Sequence, residues 1–202
     1  MNIEFKISKK PVLYDKAMSF LEKKVKNVKN GGRELIWILE HPTTFTGGIR
    51  FDNDEILDKS ILVKRTNRGG KITLHNPGQK IVYFVINLNK RKKNIRNLVR
   101  QIENIIIEFL KIYGITSRSD RKNIGIWVKD KKIAAIGIRV SKWVAYHGCS
   151  INISNNLNQY LKIIPCGLDN KKVTSMSELI KVKPKNFEDN LANIFIKNIN
   201  YI

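Results

Sequence analysis

The chain of 202 residues reads as a mixed α/β (α+β) single domain, with mixed sheets flanked by helices. Three observations predict this class. Short apolar runs, Leu35 to Leu39 (LIWIL) and Ile133 to Val140, are too brief for helices and apolar on both parities, as in strands covered on both faces. Other segments alternate apolar and polar residues, the signature of half-buried strands. Between them Asn94 to Tyr113 repeats at helical spacing, with Ile95, Leu98, Val99, Ile102, Ile105, Ile106, Phe109 and Leu110 on one face. Neither repeats nor linkers interrupt the pattern, so residues 1–202 are taken as one domain long enough for a real core.

The elements follow in order. Asn2 to Ile7 alternates Ile3, Phe5 and Ile7 with polar neighbours, a first strand. Pro11 suits the first turn of a helix carrying Leu13, Ala17, Phe20, Leu21 and Val25, which Asn30-Gly31-Gly32 ends. Leu35 to Leu39 leads into EHPTTFTGG (residues 40–48), read as a turn-rich loop that is either plain surface or a backbone approach for a ligand. Ile61 to Thr66 is another strand, broken at Asn67-Arg68-Gly69-Gly70. Ile72 and Leu74, then Ile81, Tyr83 and Val85, alternate on either side of Asn76-Pro77-Gly78 and predict a strand, tight turn, strand unit. Its glycines lack Walker spacing and no GK[ST] follows, which excludes a P-loop. Gly114 stops the helix of residues 94–113. Ile124 to Val128 and Ile133 to Val140 form a hairpin around Lys129-Asp130-Lys131, and Val144 to Ile153 is the next strand. Leu157 to Tyr160 is a short helical turn, Ser175 to Glu178 a capping box opening a helix, and Phe187, Leu191, Ile194 and Phe195 mark a last amphipathic helix.

Composition limits the function. No run of about 18 apolar residues exists, and MNIEFKISKK has neither the apolar segment nor the cleavage site of a signal peptide, so a cytoplasmic protein without a membrane span is expected. Two cysteines in that compartment are expected to be reduced thiols. The net charge of +21 suggests an acidic partner or nucleic acid. The lysines come with abundant asparagine and isoleucine, the bias of an AT-rich genome, so drift in composition is the competing account of the charge. A nucleic-acid surface would interleave aromatics with basic residues, whereas Trp37, Tyr83, Phe84 and Trp127 lie within apolar strands. His41, His75 and His147 have no metal-ligand spacing, so no metal is expected.

Residues Lys131 to Leu168 carry the chemistry. Alternation sends Lys131 and Lys132 to opposite faces of an apolar strand, so one ammonium must leave water. A buried ammonium requires a partner or a task. Cys166, between Pro165 and Gly167, sits where the chain is pressed extended and then free to turn, as suits a thiol at a strand end. An ordinary thiol has a pKa near 8.5. A lysinium about 4 Å away, at an effective dielectric near 20, contributes up to roughly 4 kcal/mol, and half of that lowers the pKa by about 1.5. The competing reading makes Cys166 a small buried hydrophobe. Cys149 reads as pocket lining, and His147 as a hydrogen-bonded strand histidine rather than half of a Cys-His pair.

KKIAAIGIRV, HGCSINI and IPCGL, with RGGKITLHNPGQ at Arg68 to Gln79 upstream, resemble in sequence and order the octanoyltransferases of lipoate biosynthesis, the lipoate-protein ligase B type. The resemblance runs from about His41 to Glu178. It implies a fold similar to the catalytic domain of the biotin and lipoate protein ligases. It further implies transfer of an octanoyl group from octanoyl-acyl carrier protein to a specific lysine of a lipoyl domain, in 2-oxoacid dehydrogenase complexes or the glycine cleavage H protein. Cys166 would carry the acyl group as a thioester, Lys132 would activate it, and no cofactor would be needed. By the family pattern Arg68, Gly69, Gly70 and Lys71, then Ile72, Thr73, Leu74 and His75, line the acyl site. Ala135, Ile136 and Gly137, with Gly148, Cys149 and Ser150, complete it. Leu74 stands where the family usually has tyrosine, which would change how substrate is held, and Asn76 where it has glycine, where asparagine would adopt the left-handed turn. The alternatives are an ATP-dependent lipoate-protein ligase, a basic nucleic-acid binder, a decayed binding module, and an enzyme for another acyl length.

Overall fold

A computed structural model of the chain describes residues 3–165, 173–180 and 186–198. In chain order the strands are β1 (Ile3–Ile7), β2 (Glu34–Leu39), β3 (Thr44–Gly47), β4 (Val63–Arg65), β5 (Ile72–His75), β6 (Gln79–Asn87), β7 (Arg118–Ser119), β8 (Ile126–Val128), β9 (Lys131–Ser141) and β10 (Val144–Asn152). The helices are α1 (Tyr14–Lys29), α2 (Ile95–Ile112), α3 (Met176–Leu179) and α4 (Phe187–Asn198). Seven strands form one sheet in the order β1-β2-β6-β10-β9-β8-β7, and three form a second in the order β4-β3-β5. Both are mixed: β1 with β2 and β3 with β4 are parallel, and the other pairs antiparallel.

The doubly apolar strands have helices on both sides. Leu35, Trp37 and Leu39 of β2, with Ile81, Tyr83 and Val85 of β6, pack on Ala17, Leu21, Val25 and Val28 of α1. The other parity, Ile36, Ile38, Val82 and Phe84, packs on Leu98, Ile102, Ile105 and Phe109 of α2 and on Leu191 and Phe195 of α4. Each such side chain, removed from water, contributes about 1.5–3 kcal/mol. The small sheet has its own core of Phe45, Ile72, Leu74, Tyr160 and Ile163.

Four expectations are corrected. The segment 40–48 contains strand β3, which joins β4 and β5 into the second sheet. β5 and β6 are not a hairpin: β5 pairs with β3, while β6 lies between β2 and β10, so the turn at residues 76–78 passes the chain from one sheet to the other. Pro11 precedes the helix, which starts at Tyr14, because the Val12 N–H donates to Glu40 O at 2.8 Å and its carbonyl faces His41 Nδ1 at 2.6 Å; both hold this segment extended against the end of β2. Ser175 makes no side-chain cap; Glu178 instead accepts from Thr174 Oγ1 at 2.9 Å, over a helix of only four residues. The hairpin of β8 and β9 is present, turning at Lys129, whose φ is 54°.

Candidate active site

A cleft of about 780 Å³ lies between the segment of residues 67–75 and the β9–β10 half of the large sheet. It forms because β8 pairs with β9 only from Lys131 to Ala134, leaving the strand beyond without that neighbour. The loop after β4 fills part of the gap, with the Gly69 N–H donating to Ile138 O at 3.3 Å. This also explains why β9 is only half-buried from Ala135 to Ile138, where both faces were expected to be covered.

Most residues singled out in the sequence meet at this cleft. Arg68, Gly69, Gly70, Lys71, Ile72, Thr73 and His75 line one wall; Lys132, Ala135, Ile136, Gly137, Gly148, Cys149 and Ser150 line the other. Leu74 does not: its side chain is fully buried in the small sheet's core with Phe45, Tyr160 and Ile163. Alternation along β5 turns it away while Thr73 and His75 face in. At Asn76 the backbone is not left-handed; the positive φ, 86°, falls at Gly78. Asn76 instead uses its amide, donating Nδ2–H to Asn156 O at 2.8 Å and accepting from Asn155 Nδ2 at 3.0 Å.

Each wall is held by bonds that account for its residue types. Arg68 is buried and donates from Nη1 to Gly69 O at 2.9 Å and from Nη2 to Thr46 O at 2.6 Å, fixing the glycine loop to β3. Lys71 pairs with the buried Glu55 at 2.6 Å, and Glu55 Oε2 accepts the Ile72 N–H at 3.2 Å. His147, buried and read as a bonded strand histidine, lies 2.6 Å from Asn67 Oδ1 through Nε2 and also lines the cleft. Alternation would group it with Ala145 and Cys149, but its φ of 65° breaks the pleat and directs the ring to the Asn67 loop. Arg139 Nη1 donates to Asn67 O at 3.1 Å on the same loop.

Lys132 is the lysine that leaves water, 8% exposed, while Lys131 remains half-buried. Its Nζ lies 5.3 Å from the Trp127 ring centroid, a cation–π contact. Gly125 makes room for it, since a Cβ there would run into Lys132 Cε. Lys132 also shares a smaller hollow with Thr73, Ser150, Asn152, Pro165 and Val173. Cys166 and Gly167 lie outside the described residues; Pro165, next to Cys166, is the nearest described neighbour and borders the lysine's hollow.

Electrostatically the cleft keeps its histidines neutral. Burial, reinforced by the cost of protonating His75 beside His41 and by the Arg68 charge, lowers His75 to about 3, and burial with Arg68 and Arg139 lowers His147 to about 3. Burial likewise lowers His41. His41 donates Nδ1–H to Val12 O, so its Nε2, 2.8 Å from Tyr83 Oη, accepts a hydrogen bond from the phenol O–H. Burial pushes the Cys149 thiol up to about 12, which leaves it an apolar lining group at neutral pH. Tyr14, Tyr83 and Asn67 also line the cleft and were missed in the sequence, since each comes from an element whose pattern signals only core or loop. Among the described residues there is no cluster of three or more acidic, histidine or cysteine side chains able to hold a metal, and no helix long and apolar enough to cross a membrane.

A mixed sheet with helices on both faces, a small second sheet and a cleft between them is the catalytic architecture of lipoate-protein ligases. A Thermoplasma acidophilum lipoate protein ligase with bound lipoic acid superposes with a TM-score of 0.81, at 15% identity, over 99% of this chain and 87% of that one. The chain belongs to the lipoyl protein ligase A/B catalytic domain family, which it matches over residues 14–196. Within that family it falls with the lipoyl(octanoyl) transferases and is an acyltransferase. It is 43% identical to the octanoyltransferase of Wolbachia pipientis subsp. Culex pipiens, over 96% of this chain and 98% of that protein. It is also 43% identical to the Ehrlichia chaffeensis octanoyltransferase, over 88% of this chain and 86% of the relative.

Proposed function

We propose that this protein transfers an octanoyl group from octanoyl-acyl carrier protein to a lysine of lipoyl domains, through a thioester on Cys166, as one catalytic domain acting in the cytoplasm. The acceptors are lipoyl domains of 2-oxoacid dehydrogenase complexes or the glycine cleavage H protein. The observation that carries this reading is Lys132, buried at the cleft in the hollow that Pro165 borders.

The residues then have these roles. Lys132 as ammonium stabilises the Cys166 thiolate, which attacks the carrier's thioester carbonyl. A new carbon–sulfur bond forms, the carrier's carbon–sulfur bond breaks, and the departing thiolate takes a proton from Lys132. The lysine, now neutral, accepts the proton of the incoming acceptor amine as that amine attacks the acyl-enzyme. An amide forms, Cys166 leaves as thiolate, and the ion pair is restored. The energy of the thioester drives amide formation, so the reading requires neither ATP nor a metal. The half-buried Ala135, Ile136 and Gly137, with Cys149 and Ser150, leave an apolar wall suited to a medium-length chain.

The test is intact-mass spectrometry after incubation with octanoyl-carrier and without ATP. Wild type is expected to gain one octanoyl mass, labile to hydroxylamine, and Cys166→Ala none. Modification of a lipoyl domain only when ATP and free octanoate are supplied would favour a ligase instead.

A further inference from the structure

Gln79 closes the motif that begins at Arg68, yet the reaction above makes no use of it. It is fully buried at the first position of β6, and both ends of its amide are engaged. Oε1 accepts from His75 Nδ1 at 2.8 Å. Nε2 lies 3.2 Å from Leu74 O, 2.9 Å from Asn152 Oδ1 and 3.0 Å from Tyr160 Oη. A carbonyl oxygen only accepts, so Leu74 O fixes which end of the amide is nitrogen, and with it the His75 tautomer.

These contacts lead to both flanks of the segment that contains Cys166. Tyr160 belongs to the 3-10 turn Leu157–Lys162, which runs into Ile163, Ile164 and Pro165. Asn152 donates from Nδ2 to Thr174 O at 3.0 Å, and the Thr174 N–H donates to Lys132 O at 3.0 Å. Asn155 Nδ2 lies 3.0 Å from Asn76 Oδ1 and 3.3 Å from Asn152 Oδ1, which brings the asparagine in the usual place of a glycine into the same network. An apolar side chain would fill this volume without the desolvation of an amide. A buried amide with both ends bonded selects one arrangement of the elements it joins.

We propose that Gln79 is a positioning residue for acyl transfer, holding both flanks of the Cys166 segment in register with Lys132 through His75, Asn152 and Tyr160. The inference rests on the reading that Cys166 and Lys132 carry the reaction. Gln79 bonds to His75, Leu74, Asn152 and Tyr160, and acts on the reacting pair through them. Its effect therefore falls on the rate of the chemical step and on the ionisation of the thiol, and not on donor binding.

The test compares wild type, Gln79→Met and Tyr160→Phe, using a small octanoyl thioester as donor, well below each variant's melting temperature. Methionine keeps the length of glutamine without its hydrogen-bonding ends. Phenylalanine removes only the hydroxyl and serves if Gln79→Met does not fold. The acylation rate constant is expected to fall about 10- to 100-fold in Gln79→Met and about 3-fold or more in Tyr160→Phe, with KM within about two-fold of wild type. The pH inflection for iodoacetamide alkylation of Cys166 should move up in the same order, toward that of Lys132→Ala. Wild-type kinetics and inflection in the folded variants, even with a lowered melting temperature, overturn the inference and leave the acyl-enzyme reading standing. Absence of Cys166 acylation in wild type overturns both together.

Discussion

The backbone carbonyl of Lys132 accepts the N–H of Thr174 at 3.0 Å, and Val173 pairs beside the same lysine. Pro165 borders the hollow of that lysine too, so the described chain on both sides of residues 166–172 comes to Lys132. A buried lysine approached by the chain from both sides is the arrangement expected where an ammonium controls a thiol in the connecting segment.

The first prediction concerns that control. Iodoacetamide alkylation of Cys166 against pH should show an inflection below about 7.5 in wild type, as a thiolate stabilised by an adjacent ammonium requires. In Lys132→Ala the inflection should move toward about 8.5, the ordinary thiol value, and the acylation rate should drop with it. An unchanged profile would remove the activating role and make Lys131 the next residue to vary.

Cys149 should behave oppositely. Burial pushes its thiol up to about 12, so at pH 7.5 almost none is thiolate. Peptide mapping of the native protein after brief labelling at pH 7.5 should find the modification at Cys166 and not at Cys149, with Cys149 labelled only after unfolding in denaturant. Equal labelling of both cysteines in the folded protein would show that the cleft does not shield Cys149.

The histidines predict an acid-sensitive fold. His75 and His147 sit near 3 in the folded protein, against about 6.5 when unfolded. Between those values the unfolded chain binds the extra protons. The stability due to neutral burial is therefore complete above about pH 6.5 and lost as pH falls toward 3. The slope is about 1.4 kcal/mol per pH unit for each histidine, as an order of magnitude. Urea midpoints measured at pH 7 and pH 5 should show the loss, and the ring resonances of both histidines should not titrate between those values. A titration near 6.5 for either ring would contradict its burial.

Much of the fold was legible because local chemistry and tertiary packing agree in it. LIWIL is buried as its pattern requires, since a doubly apolar strand is stable only with helices on both sides. Of the Asn94–Tyr113 stripe, the residues from Leu98 to Leu110 are buried except Val99, which is half-buried, while Ile95 at the helix start is exposed. The misreadings fall where strand partners decide the outcome. ThrPheThrGly at β3 is too short to signal a strand until β4 and β5 flank it, and the residues beside Asn76-Pro77-Gly78 suit a hairpin equally well as a crossing between sheets. In the candidate site, parity showed that one of Lys131 and Lys132 leaves water, and the family resemblance pointed to Lys132. The reach of His147 to Asn67 was not, because it depends on a left-handed φ in a strand residue other than glycine. Leu74 was placed with the substrate by motif position, whereas alternation along β5 buries it elsewhere.

The last prediction uses the charge. The chain has 38 lysines and arginines against 17 acidic residues, and several of the basic ones, Arg50, Lys71, Arg121, Lys122 and Arg139, line the cleft. An acidic carrier would be drawn to this surface, and its encounter rate would fall as salt shortens the Debye length from about 8 Å at 0.15 M to about 3 Å at 1 M. The rate constant for acylation by octanoyl-carrier should therefore fall steeply with salt, while acylation by a small neutral octanoyl thioester should hardly change. The paired donors separate steering from any effect of salt on the enzyme itself. Charge reversal at Arg121 and Lys122, both exposed at the cleft's edge, should reduce the salt slope for the carrier and leave the small donor's rate within about two-fold. If the two donors respond alike to salt, the basic surface is a product of composition with no part in recruiting the donor.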